Sequence, residues 1–312
     1  MTTNNIRPLF PPEAAQNYPL RCPPIPKRSS WVSKRFWYYV HEYILMPFSL
    51  YYAGVTGDRC DGHCTLPLPF GLVLKRHGEI TEEEVINMNV ARAMGIPAPR
   101  AYSFGTLEEP IGKGKAIPSI VMTRISGVTL GSLDVSQLNT NVFLDDLAKI
   151  FARMRSFGSP FGDAVCGIDG GPILGTLIPL SPLPATPNEA AFQQQFRTMA
   201  QWKFTSDDED HRTCAAVTEE FFSLPTHAIV FTHGDLIQHN IMVDPKSGHI
   251  TGIIDWESAA WMPDYWEFSI VGIRRGSDSD MLMNGRLSGG AYGKEVNGHR
   301  HLYGLVGDLL PL

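Results

Sequence analysis

Cysteine is scarce in this chain of 312 residues: there are five, an odd number, scattered from Cys22 to Cys214. Such spacing makes no disulfide framework and points to a reducing, cytoplasmic compartment. Cys60, His63 and Cys64 lack the second ligand cluster that a structural zinc ion needs, and they read as a loop. Basic charge is short as well. Lys and Arg number 26 against 32 Asp and Glu, for a net charge of −6 with no basic block, which argues against a nucleic-acid binder. A long apolar run is missing too. The best stretch, 38–55, is interrupted by His41, Glu42 and Pro47, whereas a membrane span needs roughly 20 mostly apolar residues. The first residues carry no charged start ahead of an apolar core, so no signal peptide is read there. Neither a membrane nor a nucleic acid is expected as a partner.

What is present is a sizeable apolar content, 43%, enough for one large domain or two lobes sharing a cleft. The most informative stretch is 231–257. Asn240 and the apolar residues to Val243 read as a short strand, Asp244-Pro245-Lys246-Ser247-Gly248 as a turn, and 250–254 as the β-branched returning strand. Pairing about that turn brings Asn240 and Asp255 to the same open end, with Asp235 in the loop just upstream. Oxygen-bearing side chains gathered in this way suit a hard cation carrying phosphates, because Mg²⁺ takes few protein oxygens and keeps several waters.

The run His233-Gly234-Asp235-Leu236, then Asn240, then Ile254-Asp255-Trp256-Glu257 resembles the aminoglycoside phosphotransferase and choline kinase-like family. The glycine after the histidine matches, as does Asp-Trp-Glu where protein kinases carry Asp-Phe-Gly. The resemblance covers roughly 72–270, including 94–102 and 259–268. It implies an α+β, bilobal, protein-kinase-like fold, with a small antiparallel sheet in the first lobe and helices in the second. It also implies that Asp235 takes the proton of an acceptor hydroxyl, that Asn240 and Asp255 hold Mg²⁺, and that a strand lysine paired with a helix glutamate steadies the phosphates of ATP. Lys75, at the end of the apolar strand 71–75, is the candidate lysine. Glu84 is the first choice for its partner and Glu83 the second; Glu84 also reads as a capping-box partner of Thr81. Adenine is expected against Met122 to Arg124. His233 is expected to prop the loop.

The flanking chain divides as follows. Residues 1–30 hold seven prolines and read as an extended or disordered arm. A helix over 31–50 is expected to bury Phe36, Tyr39, Val40, Tyr43 and Ile44 on the small lobe, in preference to the alternative of a partner-binding helix. Strands are expected at 51–57 and 66–75, with a phosphate-covering loop among Gly54, Gly57 and Gly62, although the kinase pattern Gly-x-Gly-x-x-Gly is absent. The first lobe then extends over 31–124 and the second over 125–271. In the second lobe, helices are read at 138–157, 188–204 and 211–222, with a long loop at 158–187 and an acidic, solvated loop at 206–210. The tail 272–312 shows no sustained helical period. The function read from this is ATP-dependent transfer of a γ-phosphate to a hydroxyl of a small molecule. The alternative is a kinase-fold nucleotide-binding module with little or no catalysis, suggested by the missing glycines and the atypical tail.

Overall fold

Leu66 and Leu68 on one side and Leu72, Val73 and Leu74 on the other flank Pro69-Phe70-Gly71. Phe70 (φ +62°) and Gly71 (φ +68°) both take left-handed backbone, so the chain reverses within three residues. In a computed structural model of the protein, which describes residues 21–58, 64–107, 116–134, 138–175, 182–273 and 287–306, this is the hairpin β1 (Thr65–Leu68) and β2 (Leu72–Arg76). With β3 (Ala101–Gly105) and β4 (Ser119–Thr123) it forms an antiparallel sheet in the order β1-β2-β4-β3. Between β2 and β3 runs a helix whose apolar face enters the core with Ile86, Met88, Val90 and Ala91 all buried.

A longer helical rod covers the outer face of this sheet. It consists of α1 (Trp31–Val40), one π-turn (His41–Leu45) and α2 (Met46–Thr56). Ser30 caps its start, accepting from Ser33 N–H, and left-handed Gly57 (φ +68°) ends it. The π-turn directly precedes Pro47, which has no N–H to give to the turn before it. Two expectations fail here. Residues 51–57 are the end of this helix and not a strand, so Gly54 lies in a helix and Gly57 in its cap; Gly62 falls outside the described residues. The expected buried face is also reversed, since Phe36, Tyr39, Tyr43 and Ile44 are exposed. The side that meets the sheet is set elsewhere on the rod: Leu45 and Met46 pack on Leu68, Leu74 and Val121, and polar groups complete the contact. The sheet offers Ser103, Ser119 and the Pro67 carbonyl, all needing partners, and the helix meets them with His41 (2.8 Å to each serine Oγ) and Ser49 (2.6 Å to Pro67 O). At Gly105 a Cβ would stand 2.6 Å from Tyr38 N, so glycine permits the close approach.

The helix after β2 is α3 (Glu82–Ala93). Thr81 sits at its N-cap but makes no side-chain cap; the three first-turn glutamates each pair with a basic side chain, Glu82 and Glu84 from buried positions. Glu82 pairs with Lys34 at 2.9 Å and Glu83 with Arg28. The chain crosses between lobes at 124–127 and enters β5 (Val128–Thr129), which pairs with β8 (Ile241–Val243); β8 in turn pairs with β9 (Ile250–Ile253). A second ribbon joins β6 (Cys166–Gly167), β10 (Ala260–Pro263) and β7 (Ile229–Thr232) in that order.

Helices make up the rest. They are α4 (Thr140–Arg155), α5 (Glu189–Met199), the single turn α6 (Gln201–Phe204), α7 (Glu209–Phe222), α8 (Trp266–Ile273) and α9 (Gly293–Val306). The last contradicts the expectation of a tail without sustained helix. Gly298 explains it, because a Cβ there would fall 2.2 Å from Phe221 Cβ: α9 lies directly on α7, and burial outweighs weak local periodicity. Residues 158–175 and 182–187 are mostly irregular, as expected of the loop 158–187; 176–181 fall outside the described residues. Residues 1–20 and 108–115 fall outside the described residues. One apolar cluster runs from Val73 and Ile120 in the first lobe to Leu302 and Leu305 in the second.

Candidate active site

The β8–β9 ribbon sets the geometry. Ile241 pairs with Ile253 and Met242 with Gly252, and Gly248 (φ +78°) closes the turn by donating to Asp244 O at 2.8 Å. Ile254 N–H then donates to Asn240 O at 2.9 Å. Asn240 and Asp255 therefore leave the ribbon at the same end. Asp255 takes left-handed backbone (φ +65°) as the chain turns into the short 3-10 helix Trp256–Ser258, a conformation rare outside glycine and worth attention for that reason.

The orientation of the Asn240 amide follows from its neighbours. Its Nδ2 donates to the Asp235 carbonyl at 2.8 Å and to Asp235 Oδ2 at 3.0 Å. Both partners only accept, so the NH₂ must point there and Oδ1 the other way. The loop carrying Asp235 is held by a residue that sequence reasoning did not single out. Glu267, on α8 and fully buried, accepts from three loop N–H groups: His233 (2.6 Å), Gly234 (3.2 Å) and Leu236 (3.1 Å). A lone acid inside the apolar run 265–268 was the available signal, since a buried carboxylate must find donors. His233 donates through Nε2 to Ile254 O (2.9 Å) and accepts at Nδ1 from Asp235 N–H (3.2 Å). Burial pulls its pKa down to about 4, so it is a neutral prop, as expected. Gly234 (φ +79°) passes so close to Ser258 O that a Cβ would lie 2.3 Å from it.

From the other lobe Lys75 reaches across. Its Nζ donates to Glu84 Oε1 at 2.8 Å and to Asp255 Oδ1 at 2.7 Å. Burial works against its charge, but the two carboxylates outweigh burial and hold its pKa above the ordinary lysine value. Glu84, and not Glu83, is thus the partner of Lys75, and this contact displaces the capping-box reading. Burial raises the Glu84 pKa, opposed by Lys75. A second unforeseen residue, Asn87, sits one turn further along α3 and donates from Nδ2 to Trp256 O (2.8 Å) and Ala259 O (3.2 Å). It ties the glutamate helix to the segment after Asp255. Its place on the buried face of α3, among apolar residues, was the only sequence signal.

Glu257 completes the group: one carboxylate oxygen each from Glu84, Asp255 and Glu257 lie within 4.8 Å of one another. Burial first, then the charge of Asp255, pushes the Glu257 pKa up to about 7. Glu84 Oε2 is buried without a hydrogen-bond partner. Clustered carboxylates with an orphaned oxygen make a donor set that suits a hard divalent cation, and Asn240, with its Oδ1 turned away from Asp235, leaves the ribbon at the same end as Asp255. Adjoining it is a cleft of about 310 Å³ lined by Val73, Lys75, Met122, Arg124, Met242 and Asp255, among others. Arg124 enters that cleft constrained: its N–H donates to Gly71 O at 2.8 Å, and its guanidinium is held by Asp58, also at 2.8 Å. Lys75, Met122, Arg124 and Asp255 therefore share one cleft, while Asp235 and Asn240 stand beside it through the Asn240–Ile254 pairing.

Comparison with known proteins extends this geometry. The family model described as the phosphotransferase enzyme family matches residues 71–299. A thermostable mutant of aminoglycoside phosphotransferase APH(4)-Ia in its apo form is similar in structure, with a TM-score of 0.58 at 15% identity over 82% of this chain and 89% of that one. The same enzyme in a ternary complex with AMP-PNP and hygromycin B gives 0.56 at 15% identity, over 82% and 88%. Among curated proteins, none matches the chain. At such identities the structural likeness is one of fold.

Proposed function

This chain belongs to the phosphotransferase enzyme family, which it matches over residues 71–299, and from that premise we propose that it transfers the γ-phosphate of ATP to a hydroxyl group of a small molecule. The observation that carries the reading is the ammonium of Lys75, held by Glu84 while it spans the cleft to Asp255. Two of its three N–H bonds are engaged and the third is left for a phosphate oxygen. The fold relative solved with AMP-PNP supports a nucleotide as the donor. The base is expected between Met122 and Arg124, within the cleft that Lys75 lines.

Asp235 would accept the proton of the acceptor hydroxyl and aim its oxygen. Asn240 orients that carboxylate, and Glu267 fixes the loop beneath it. Asp255 and the Oδ1 of Asn240 would hold Mg²⁺, which when bound neutralises charge on the transferring phosphate. The remaining contribution of the protein is positioning, the main source of rate in phosphoryl transfer. A reducing, cytoplasmic setting belongs to this reading and rests on the few, scattered cysteines of the sequence.

The test is turnover of ATP and Mg²⁺ with a panel of alcohols, amino sugars and amines, read as phosphorylated product. Asp235→Asn should lower transfer by at least about 10²-fold and leave the nucleotide-induced rise in melting temperature nearly intact. Unchanged transfer in that variant would remove Asp235 from its role. A chain that shifts with nucleotide but phosphorylates nothing in the panel would favour a binding module.

A further inference from the structure

Among the described residues fourteen large apolar side chains are exposed, and ten of them lie between Trp31 and Val55. They form one face of the α1–π–α2 rod. Trp31, Phe36, Tyr39, Tyr43, Phe48 and Tyr51 are its aromatic members, with Tyr43 and Tyr51 each 70% exposed. Tyr39 and Tyr43 stack along it, with centroids 6.0 Å apart. With each aromatic ring carrying about 150–250 Å² and roughly half of it bare, the face amounts to on the order of 1,000 Å². A soluble monomer seldom leaves more than about 300–600 Å² of contiguous apolar surface open.

We propose, against the expectation from sequence that no membrane is a partner, that this face docks on a lipid bilayer, the rod lying in the plane of the membrane surface. Three features favour a bilayer over a protein groove. The first is width. The sheet holds the rod by one side only, through His41, Ser49, the Glu42–Arg76 pair and the packing of Leu45 and Met46 on Leu68, Leu74 and Val121. The apolar residues fill about half the circumference, whereas packing on another helix needs a stripe of about 100°. The second is composition. Tyrosine and tryptophan, with an apolar ring and a polar tip, prefer the headgroup level of a membrane. The third is charge. Glu42, the only acid from 31 to 56, is turned away and paired with Arg76. Arg35 is exposed beside the Trp31 ring (5.5 Å), and Lys27 is exposed near the same end. The face thus offers cations and no carboxylate to lipid phosphates.

No helix among the described residues is long and apolar enough to cross a membrane, so the contact is peripheral. The whole chain carries −6 and gains little from long-range attraction to anionic lipid; burial of the aromatic face drives binding. Flotation of the full chain with phosphatidylcholine vesicles, with and without added phosphatidylserine, tests this. The chain should float with both, more strongly with phosphatidylserine, and should stay bound at high salt. The triple variant Phe36→Ser, Tyr43→Ser, Tyr51→Ser should lose binding by about tenfold or more. The single Tyr43→Asp, which places a charge at the centre of the face, should do the same if the triple variant does not fold. Light scattering run alongside separates the competing occupant. Absence of flotation, a dimer that the Tyr43→Asp variant splits without any vesicle binding, or equal flotation of both variants would each overturn the proposal.

Discussion

Glu267 holds the loop of the candidate site at the cost of keeping a carboxylate out of water. Burial raises its pKa, and the loop N–H groups it accepts from pull the other way. Removing the acceptor leaves three backbone donors without a partner. Glu267→Ala should therefore cost about 2–4 kcal/mol in urea unfolding, with transfer falling even where the protein stays folded. Glu267→Gln, of the same shape but turning one acceptor into a donor, should lie between. If Glu267→Ala retained both stability and activity, the loop would have to be held elsewhere. Gly234→Ala probes the same loop from the other side. Strain at φ +79° and contact with Ser258 O should cost at least about 1–3 kcal/mol, read as a lower melting temperature. That Asp235, Asn240, Asp255 and Lys75 gather around one cleft was legible because the family resemblance names those residue types in that order. Glu267 and Asn87 were not, because each acts on backbone atoms, and nothing in a side-chain pattern records which backbone groups are left without partners.

Among the elements, α9 shows how the second lobe is completed. His227, just before β7, sits between two carboxylates, Glu189 of α5 (2.9 Å) and Glu295 of α9 (3.3 Å). Burial pulls its pKa down, yet the hydrogen bonds to both acids outweigh burial and raise it to about 9. A folded-state value above the ordinary 6.5 means stabilisation that is complete below pH about 6.5 and lost as pH rises through 9. Glu295→Gln should therefore destabilise by about 1–2 kcal/mol near pH 7, with the gap to the parent closing towards pH 10 in thermal melts. A gap that is constant with pH would show that the ion pair does not hold the helix. Gly298→Ala, which pushes a methyl into Phe221, should loosen the same helix by about 1–3 kcal/mol at every pH. The elements with a clean period were legible, as with α4 and the β8–β9 ribbon. The outer face of the 31–56 rod was misread because aromatic spacing tells that a face is apolar and not what covers it. Helix α9 was missed because Gly293, Gly298 and Gly304 dilute its period, although only Gly298 is required by a close approach.

At the scale of the molecule, the two lobes are joined by more than the crossing at 124–127. Residues 21–30 run as a strap: Arg21 O accepts from Gly158 N–H at 3.1 Å, and Arg28 bridges Glu83 of α3 to Asp169 beyond β6. Inside, the apolar cluster is continuous from the sheet to α9. Asn87 and the Lys75–Asp255 pair cross the cleft as well. With one core and several ties, the lobes should unfold together. Calorimetry is expected to give a single transition, and saturating ATP with Mg²⁺ should move the whole of it. At about 100 times the dissociation constant the linkage amounts to about 2.7 kcal/mol, a shift of a few degrees for a chain of this size. Two transitions, of which nucleotide moved only one, would mean that the strap and the shared core do not couple the lobes. Lys75 would then have to be brought to Asp255 by the nucleotide itself.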